Sequence, residues 1–253
     1  MSKNDGGDIV IASIGLFVGL GLFRSGFTSR QRYKTIERTP TSKIRSVAVG
    51  LVEVNGYAEK FENLLVSPFA QAECVYYSYK TEERRKSGKS HKWITIASDK
   101  TKFPFLLRDD TGLILIDPQG AECRLESDRS YRMSSFSEDS QERSFKAGLT
   151  RLGIEYGSFW GERPLRCTEI FIRPCDSLFI LGTATIDRNR PASATNSNNL
   201  CIMQDKQHWF VISDHSEKDL LKSLWWGMYG KIIGGPVLTV LCLAYLLNRF
   251  HVR

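Results

Sequence analysis

The sequence predicts an α+β protein in which a mostly antiparallel β domain is flanked by two transmembrane helices. Two long apolar segments lie near the ends of the 253-residue chain, and about 200 residues of ordinary globular composition separate them. Short stretches that alternate apolar and polar residues fill this middle part, as is typical of an antiparallel sheet or a barrel-like domain. The predicted bounds are residues 9–27 for the first helix, 38–219 for the β domain and 224–248 for the second helix.

The first apolar segment, residues 9–23, contains no charged residue. It is short for a bilayer, which needs about 17–25 residues, but Phe27 extends it if Asp8 and Arg24 lie at the two interfaces. A signal peptide is the alternative. Only Lys3 is basic ahead of the segment and no small-residue cleavage site follows it, so a retained anchor is favoured.

The second apolar segment covers residues 224–250 and has an uncharged core at 232–247. A buried helix of a soluble domain is the alternative to a membrane span. The aromatic residues that precede the core favour the membrane, because such residues concentrate at bilayer interfaces, where the nearby Lys231 can also reach the headgroups. These aromatic residues are Trp225, Trp226 and Tyr229.

Each apolar segment carries two glycines four residues apart: Gly15 and Gly19 in the first, Gly230 and Gly234 in the second. Such pairs let helices approach closely in lipid. The two helices can therefore pack together within one chain, or the protein can form a homo-oligomer through these glycines.

The first part of the β domain has two local signals. Val47, Val49 and Leu51 alternate with polar residues as in a strand, and Asn55-Gly56 predicts a hairpin turn after them. Further strands are expected in the segments that begin at residues 72, 92, 103, 113 and 168 and near residue 200, with a break at 173–176.

Two helices are expected beside these strands. One covers residues 140–154, with Phe145, Leu149 and Leu152 on one face. The other begins near residue 214, capped by Ser213 or Ser216, and continues into the second apolar segment.

Asp110-Thr111-Gly112 matches the triplet that carries the catalytic aspartate of aspartic proteases. Such an enzyme needs two aspartates that share a proton, and this chain has one triplet, so a protease would have to be a dimer. Arg108 and Asp109 precede the triplet and favour water over an apolar groove. Strand-like segments lie on both sides, and these residue types favour turns, with Gly112 free to take a positive φ. A structural hairpin turn is therefore the favoured interpretation.

The sequence offers no catalytic, cofactor or metal site. No nucleophile motif or glycine-rich phosphate loop is present, and none of the six cysteines forms a C-x-x-C pair. Cys167 and Cys175 are close enough to form a disulfide across a hairpin, but two thiols are the simpler expectation. The net charge of +7 is compatible with anionic lipid or nucleic acid. No nucleic-acid-binding motif accompanies it, so no nucleic acid partner is expected.

Five basic residues cluster between two predicted strands: Arg84, Arg85, Lys86, Lys89 and Lys92. A solvated hairpin loop is one interpretation. The other is contact with anionic lipid headgroups or a protein partner, since tethering at both ends keeps the domain near a bilayer.

Four segments in series resemble the GIDE domain, also called the BAM (beside a membrane) domain. They are "TPTSKIRSVAVGLVEVNGYAE", "SPFAQAECVYYSYKTEE", "PFLLRDDTGLILIDPQGAE" and "TEIFIRPCDSLFILGTA". The resemblance covers about residues 38–219 and implies membrane helices on both sides. It is shared with the membrane part of mitochondrial and chloroplast RING-type E3 ubiquitin ligases, and it also implies that the Asp-Thr-Gly segment is a turn.

The family's RING finger is not expected here. A RING needs eight Cys or His ligands around two zinc ions, and the residues after the second helix offer only His251. Two functions remain: a membrane-anchored scaffold that binds a protein or a lipid, and a ubiquitin-ligase-like component as the family implies. The first is favoured because no acid–base, nucleophile or metal cluster is found.

The basic residues beside the apolar segments predict the side of the membrane. Eight lie on the side of the β domain, against three at the outer ends, which predicts a cytoplasmic domain. The resemblance to mitochondrial proteins implies the intermembrane space instead. The eight are Arg24, Arg30, Arg32, Lys34, Arg38, Lys218, Lys222 and Lys231, and the three are Lys3, Arg249 and Arg253.

Overall fold

A computed structural model describes residues 5–126, 129–133, 140–155, 164–187 and 199–251. The chain divides into two units. Met1–Pro40 and Ser216–Arg253 form a helical unit, and Thr41–His215 forms a β-rich unit. The predicted fold class is confirmed, since mostly antiparallel sheets lie between two long apolar helices.

The helical unit consists of α1 (Asp5–Arg38) and α3 (Glu217–His251), which pack against each other. At 1.5 Å per residue each is roughly 50 Å long, whereas a bilayer core is about 30 Å thick. Both are long and apolar enough to cross a membrane. Of the two serines expected to cap α3, Ser216 does so: its hydroxyl accepts the backbone N–H of Asp219 at 3.3 Å and donates to that residue's carboxylate at 2.6 Å.

The described part of the β-rich unit contains one longer helix, α2 (Ser140–Arg151), and a short 3-10 turn at Ile44–Ser46. Its strands are β1 (Gly50–Glu59), β2 (Leu65–Val66), β3 (Glu73–Cys74), β4 (Tyr76–Ser87), β5 (Ser90–Lys100), β6 (Phe105–Arg108), β7 (Leu113–Ile116), β8 (Glu122–Arg124), β9 (Arg129–Met133), β10 (Leu165–Ile172), β11 (Ser177–Ile186), β12 (Leu200–Met203) and β13 (Val211–Ser213).

Five strands close into a ring in the order β1, β6, β7, β12 and β11, because β11 also pairs with β1. Strand β13 adds to β11, and β8 adds to β13. The pairings are antiparallel except for the short β7–β12 and β8–β13 pairs. Apolar side chains from these strands meet in the main core, which includes Val54, Phe105, Leu107, Ile116 and Ile180.

A second, antiparallel sheet has the order β5, β4, β10 and β9. Strand β10 connects it to the ring, since β11 follows after the break at residues 173–176 that the sequence predicts. The inner face of this sheet and helix α2 share a smaller core. Its buried members are Phe69, Tyr79, Phe145, Leu149, Leu165 and Cys167.

Glu169 of β10 holds the turn before β3 in place. Its side chain is fully buried, and its two carboxylate oxygens accept the backbone N–H groups of Phe69 and Ala70 at 2.9 and 2.8 Å. From α2, Arg151 donates to the carbonyl oxygen of Pro68 at 2.5 Å. A buried carboxylate with two such donors is compensated for its lost hydration. Glu169 therefore links the second sheet to the turn, and Arg151 links the turn to α2.

The predicted hairpin turn at Asn55-Gly56 is wrong. Both residues lie inside β1, where Gly56 pairs with Leu178 of β11. A Cβ atom on Gly56 would come within 2.5 Å of the carbonyl oxygen of Arg108. The glycine is therefore needed for the close approach of β6 to β1 and not for a turn. The strand also begins later than expected, at Gly50, so Val47 and Val49 precede it.

Candidate interaction surface

The basic segment forms the end of the hairpin made by β4 and β5, and the prediction of a loop there is wrong. Strand pairing continues as far as Ser87 and Ser90, which leaves a two-residue turn of Gly88 and Lys89. Gly88 has φ +62°, the left-handed conformation that turns of this kind require. Nearly every side chain at this end is polar, so the sequence lacks the apolar–polar alternation that would have indicated strands here.

Strand register distributes the basic side chains over both faces of the hairpin. Arg84 lies opposite Trp93 and Lys86 lies opposite His91, and these pairs share one face. Arg85 and Lys92 oppose each other on the other face, and Lys89 lies in the turn. We call residues 84–92 the hairpin tip. All five of its basic residues are exposed.

The hairpin tip carries five basic residues and contains no acidic residue of its own. No Asp or Glu occurs from residue 84 to residue 98. Arg85 and Lys92 are directly opposite, a like-charge arrangement that weakens strand pairing. Glu83 offsets part of this through an ion pair with Arg85 at 2.8 Å. An anion bound at the tip would relieve the repulsion that remains.

Trp93 directly follows the hairpin tip on β5, and nothing in the sequence pattern had indicated a role for it. The Arg166 guanidinium of β10 lies 4.4 Å from the centre of its ring, within the range of a cation–π contact. Arg166 also pairs with Glu82 at 2.6 Å, and Lys80 reaches the same carboxylate at 2.8 Å. Hydrogen bonds from Arg166 and Lys80 hold the pKa of Glu82 below its ordinary value. Pairing of β4 with β5 as a hairpin could have predicted that Trp93 lies opposite Arg84. The sequence has no signal that places Arg166 of β10 against Trp93.

The Asp-Thr-Gly triplet lies in the loop between β6 and β7, which pair antiparallel. Asp109, the residue before the triplet, makes most of the bonds. One carboxylate oxygen accepts the N–H and the hydroxyl of Thr111, both at 2.6 Å, and the N–H of Gly112 at 3.0 Å. The other oxygen accepts the N–H of Ile44 at 2.9 Å. Burial acts to raise the pKa of Asp109, but these bonds outweigh it and the pKa lies below its ordinary value.

Asp110 is two-thirds exposed and pairs with Lys43 at 2.5 Å. This environment differs from that of a carboxylate that shares a proton with a second aspartate in a groove. The expectation that Gly112 takes a positive φ is wrong: within the described ranges the glycines with positive φ are Gly50, Gly88, Gly120 and Gly153. Three bonds to the Asp109 side chain close this loop without a left-handed residue.

Glycines of α1 lie against α3. A Cβ atom on Gly15 would meet the sulfur of Cys242 at 2.6 Å, and one on Gly19 would meet the hydroxyl of Thr239 at 2.4 Å. From the opposite side, Gly235 approaches the backbone of α1. A Cβ atom on Gly230 or Gly234 would meet nothing within 4 Å. Of the two expected glycine pairs, only the first therefore lies between α1 and α3.

Across the described ranges, no group of three or more His, Cys, Asp or Glu side chains is placed to hold a metal ion. Cys167 is buried in the small core and Cys175 is exposed, and no disulfide joins these two described residues. The hairpin tip, with its five exposed basic residues, is the candidate interaction surface of the described β-rich unit.

A family model supplies the decisive comparison. The model of GIDE, described as an E3 ubiquitin ligase, matches residues 75–243, about two thirds of the chain. The chain belongs to the GIDE family. The resemblance seen in the sequence is thereby confirmed. The match includes the hairpin, most of the ring and the greater part of α3. No curated protein and no solved structure matches the chain.

Proposed function

We propose that this GIDE protein is a membrane-anchored interaction scaffold, held in a bilayer by α1 and α3, and that its hairpin tip binds anionic lipid headgroups. The observation that carries the proposal is the set of five exposed basic residues in a tip that contains no acidic residue. Two helices long enough to span a membrane support it from a separate part of the chain.

The expected electrostatic energy of the tip suits binding to an anionic lipid surface. Each basic residue near an anionic leaflet contributes about 1 kcal/mol, so the five together contribute a few kcal/mol after losses to imperfect geometry. Such binding is weak when a protein is free in solution. It becomes effective for a tethered domain, because the anchor raises the local concentration of headgroups. Trp93 suits the same environment, since tryptophan favours the interface between headgroups and water.

Hydrogen exchange of the full chain in lipid nanodiscs tests the lipid contact. Exchange of backbone amides in residues 84–92 is expected to be slower in discs that contain phosphatidylserine than in discs of phosphatidylcholine alone. The variant with Arg84, Arg85 and Lys86 changed to Gln should lose this difference. Changing the distant Lys43 to Gln is the matched control and should retain it. Equal exchange in both kinds of disc would rule out the lipid contact.

The family match supports a second function. The GIDE model is described as an E3 ubiquitin ligase, and we propose that this chain provides the membrane-bound recognition part of such a ligase while ubiquitin transfer is carried out elsewhere. The chain's own residues motivate this division, because no metal-holding cluster occurs within the described ranges. Incubation of the purified chain with ubiquitin, an activating enzyme and a panel of conjugating enzymes should give no ubiquitin conjugates. A ladder of conjugates that depends on the chain would overturn the division.

A further inference from the structure

Strand β5 has one side that no other strand covers in the described part of the chain. It is the end strand of its sheet, and over 11 residues it pairs with β4 alone. A long strand edge of this kind exposes backbone donors and acceptors that can pair with another extended segment.

One hydrogen bond shows which groups of β5 face outward. Arg84 of β4 donates its backbone N–H to the carbonyl oxygen of Pro164 at 3.0 Å, so it turns away from β5. Its partner Trp93 therefore belongs to a non-hydrogen-bonded pair, in which the N–H and C=O of each residue point away from the partner strand. By the alternation of an antiparallel ladder, His91 and Thr95 also turn their N–H and C=O groups to the outer edge.

Side chains beside this edge combine positive charge with apolar surface. His91 and Lys92 lie at the tip end, with Arg85 across from Lys92. Further along, Trp93 is half-buried and Ile94 is 41% exposed. An added strand would meet cations near the tip and the apolar side chains of Trp93 and Ile94 further along. Acidic and apolar residues in alternation complement such an edge.

We infer that the outer edge of β5 binds an extended acidic segment of a partner protein as an additional antiparallel or parallel strand. The inference rests on the proposed scaffold role and names the kind of protein that the scaffold receives. A second copy of this chain is a poorer occupant, because its own β5 carries Lys92 and Lys100 against a single carboxylate, Asp99. The positive charge of the lysines disfavours a basic strand at this edge.

The test uses the full chain in a non-ionic detergent and two fluorescent peptides of the length of β5. One peptide alternates glutamate with valine, and the other alternates lysine with valine. Fluorescence anisotropy should show binding of the acidic peptide only, and the affinity should fall as salt is added. Backbone amides of Trp93 and Thr95 should exchange more slowly in the complex, whereas binding through side chains alone would leave them unchanged.

Three variants separate backbone pairing from charge. Thr95→Pro removes one outward N–H while leaving the bonds to β4, and it should weaken acidic peptide binding about tenfold. Thr95→Val keeps the N–H and the branched side chain, and it should bind as the unmodified chain does. Lys92→Glu should weaken binding by a similar factor through charge. Melting temperatures of all three variants show whether the fold is retained.

Several results would overturn the inference. These are failure of the acidic peptide to bind, equal binding of both peptides, or equal affinity of Thr95→Pro and Thr95→Val. Self-association of the chain that is abolished by Thr95→Pro would assign the edge to a second copy instead. Loss of peptide binding with retained protection of the tip by phosphatidylserine would leave the proposed lipid contact standing, so the two ideas fail separately.

Discussion

Asp109 gathers four hydrogen bonds on one carboxylate, whereas the neighbouring Asp110 makes a single exposed ion pair. Hydrogen bonds to a charged acceptor are stronger than neutral ones, and exposed ion pairs contribute little. Changing Asp109 to Asn should therefore destabilise the full chain in detergent by about 1–3 kcal/mol. Asp110→Asn is the matched control and should melt within a degree or two of the unmodified chain. A larger loss for Asp110→Asn than for Asp109→Asn would contradict this assignment.

The contribution of the Asp109 carboxylate to folding stability should depend on pH. The pKa of Asp109 is lower in the folded protein than in the unfolded chain, where it is about 3.9. Its stabilising contribution is therefore complete above pH of about 4 and is lost as the pH falls through the folded-state pKa. The difference in melting temperature between the unmodified chain and Asp109→Asn should shrink on acidification below that pH. A difference that grows on acidification would show that the sign is wrong.

Gly56 and Gly112 allow a matched comparison within the β-rich unit. A Cβ atom on Gly56 would meet backbone at 2.5 Å, whereas one on Gly112 would meet the Ile44 side chain at an ordinary 3.6 Å. Gly56→Ala should destabilise the chain by about 1–3 kcal/mol, because β1 and β6 would have to separate. Gly112→Ala should be close to neutral. Thermal melting followed by circular dichroism measures both, and equal effects would argue against the close approach of β6 to β1.

The two long helices offer a direct geometric test of their packing. An added Cβ atom on Gly15 would lie 4.0 Å from the Cβ atom of Cys242, which is within the range for a disulfide. Gly15→Cys should therefore form an intramolecular disulfide under mild oxidation, seen as a mobility shift on a non-reducing gel and as a loss of two hydrogens by mass spectrometry. Gly21→Cys is the control, since a Cβ atom there meets nothing within 4 Å.

A covalent dimer of Gly15→Cys in place of the intramolecular disulfide would show that this face of α1 meets a second chain. Homo-oligomer formation through Gly230 and Gly234 stays a separate prediction. These glycines are open in the helical unit, and replacing either with Leu should leave the Gly15→Cys disulfide intact. A loss of that disulfide in Gly234→Leu would mean that α3 packs through another face.

The basic hairpin shows how an element can differ from its sequence pattern. Residues 81–92 contain almost no apolar side chain, so their pattern indicates a loop. The chain nevertheless continues as paired strands to the Gly88-Lys89 turn, because backbone bonds between β4 and β5 do not require apolar side chains. The functional consequence is a defined edge and two faces, where a loop would have presented the charges without order.

The side of the membrane is a property of the whole chain, and we propose that the β-rich unit is cytoplasmic because eight basic residues lie beside the apolar segments on its side and three lie at the outer ends. Cys175 is the suitable reporter, since it is exposed while Cys74 is buried and Cys123 is partly buried. In intact cells a membrane-impermeant maleimide should label Cys175 only after permeabilisation. Cys175→Ser should remove that label. Labelling without permeabilisation would place the unit outside the cytoplasm.

The sequence by itself determined the two apolar helices, the antiparallel β domain between them and the family. These depend on local composition and on the order of segments, and both can be read from the sequence without knowing any contact. It also located the five basic residues of the hairpin tip, because charge is a property of each residue. It misassigned Asn55-Gly56, since a glycine required for a close approach has the same local pattern as a glycine required for a turn.

Tertiary structure decided the rest. The stacking of Arg166 on Trp93 joins residues far apart in sequence, and the closure of the loop by Asp109 depends on an N–H from Ile44. The outward groups of β5 follow from strand order, which places β4 between β5 and β10. Each of these features is a relation between distant segments, and no pattern within one segment specifies which partner it meets. The charges of the proposed surface were therefore visible in the sequence, and its geometry was not.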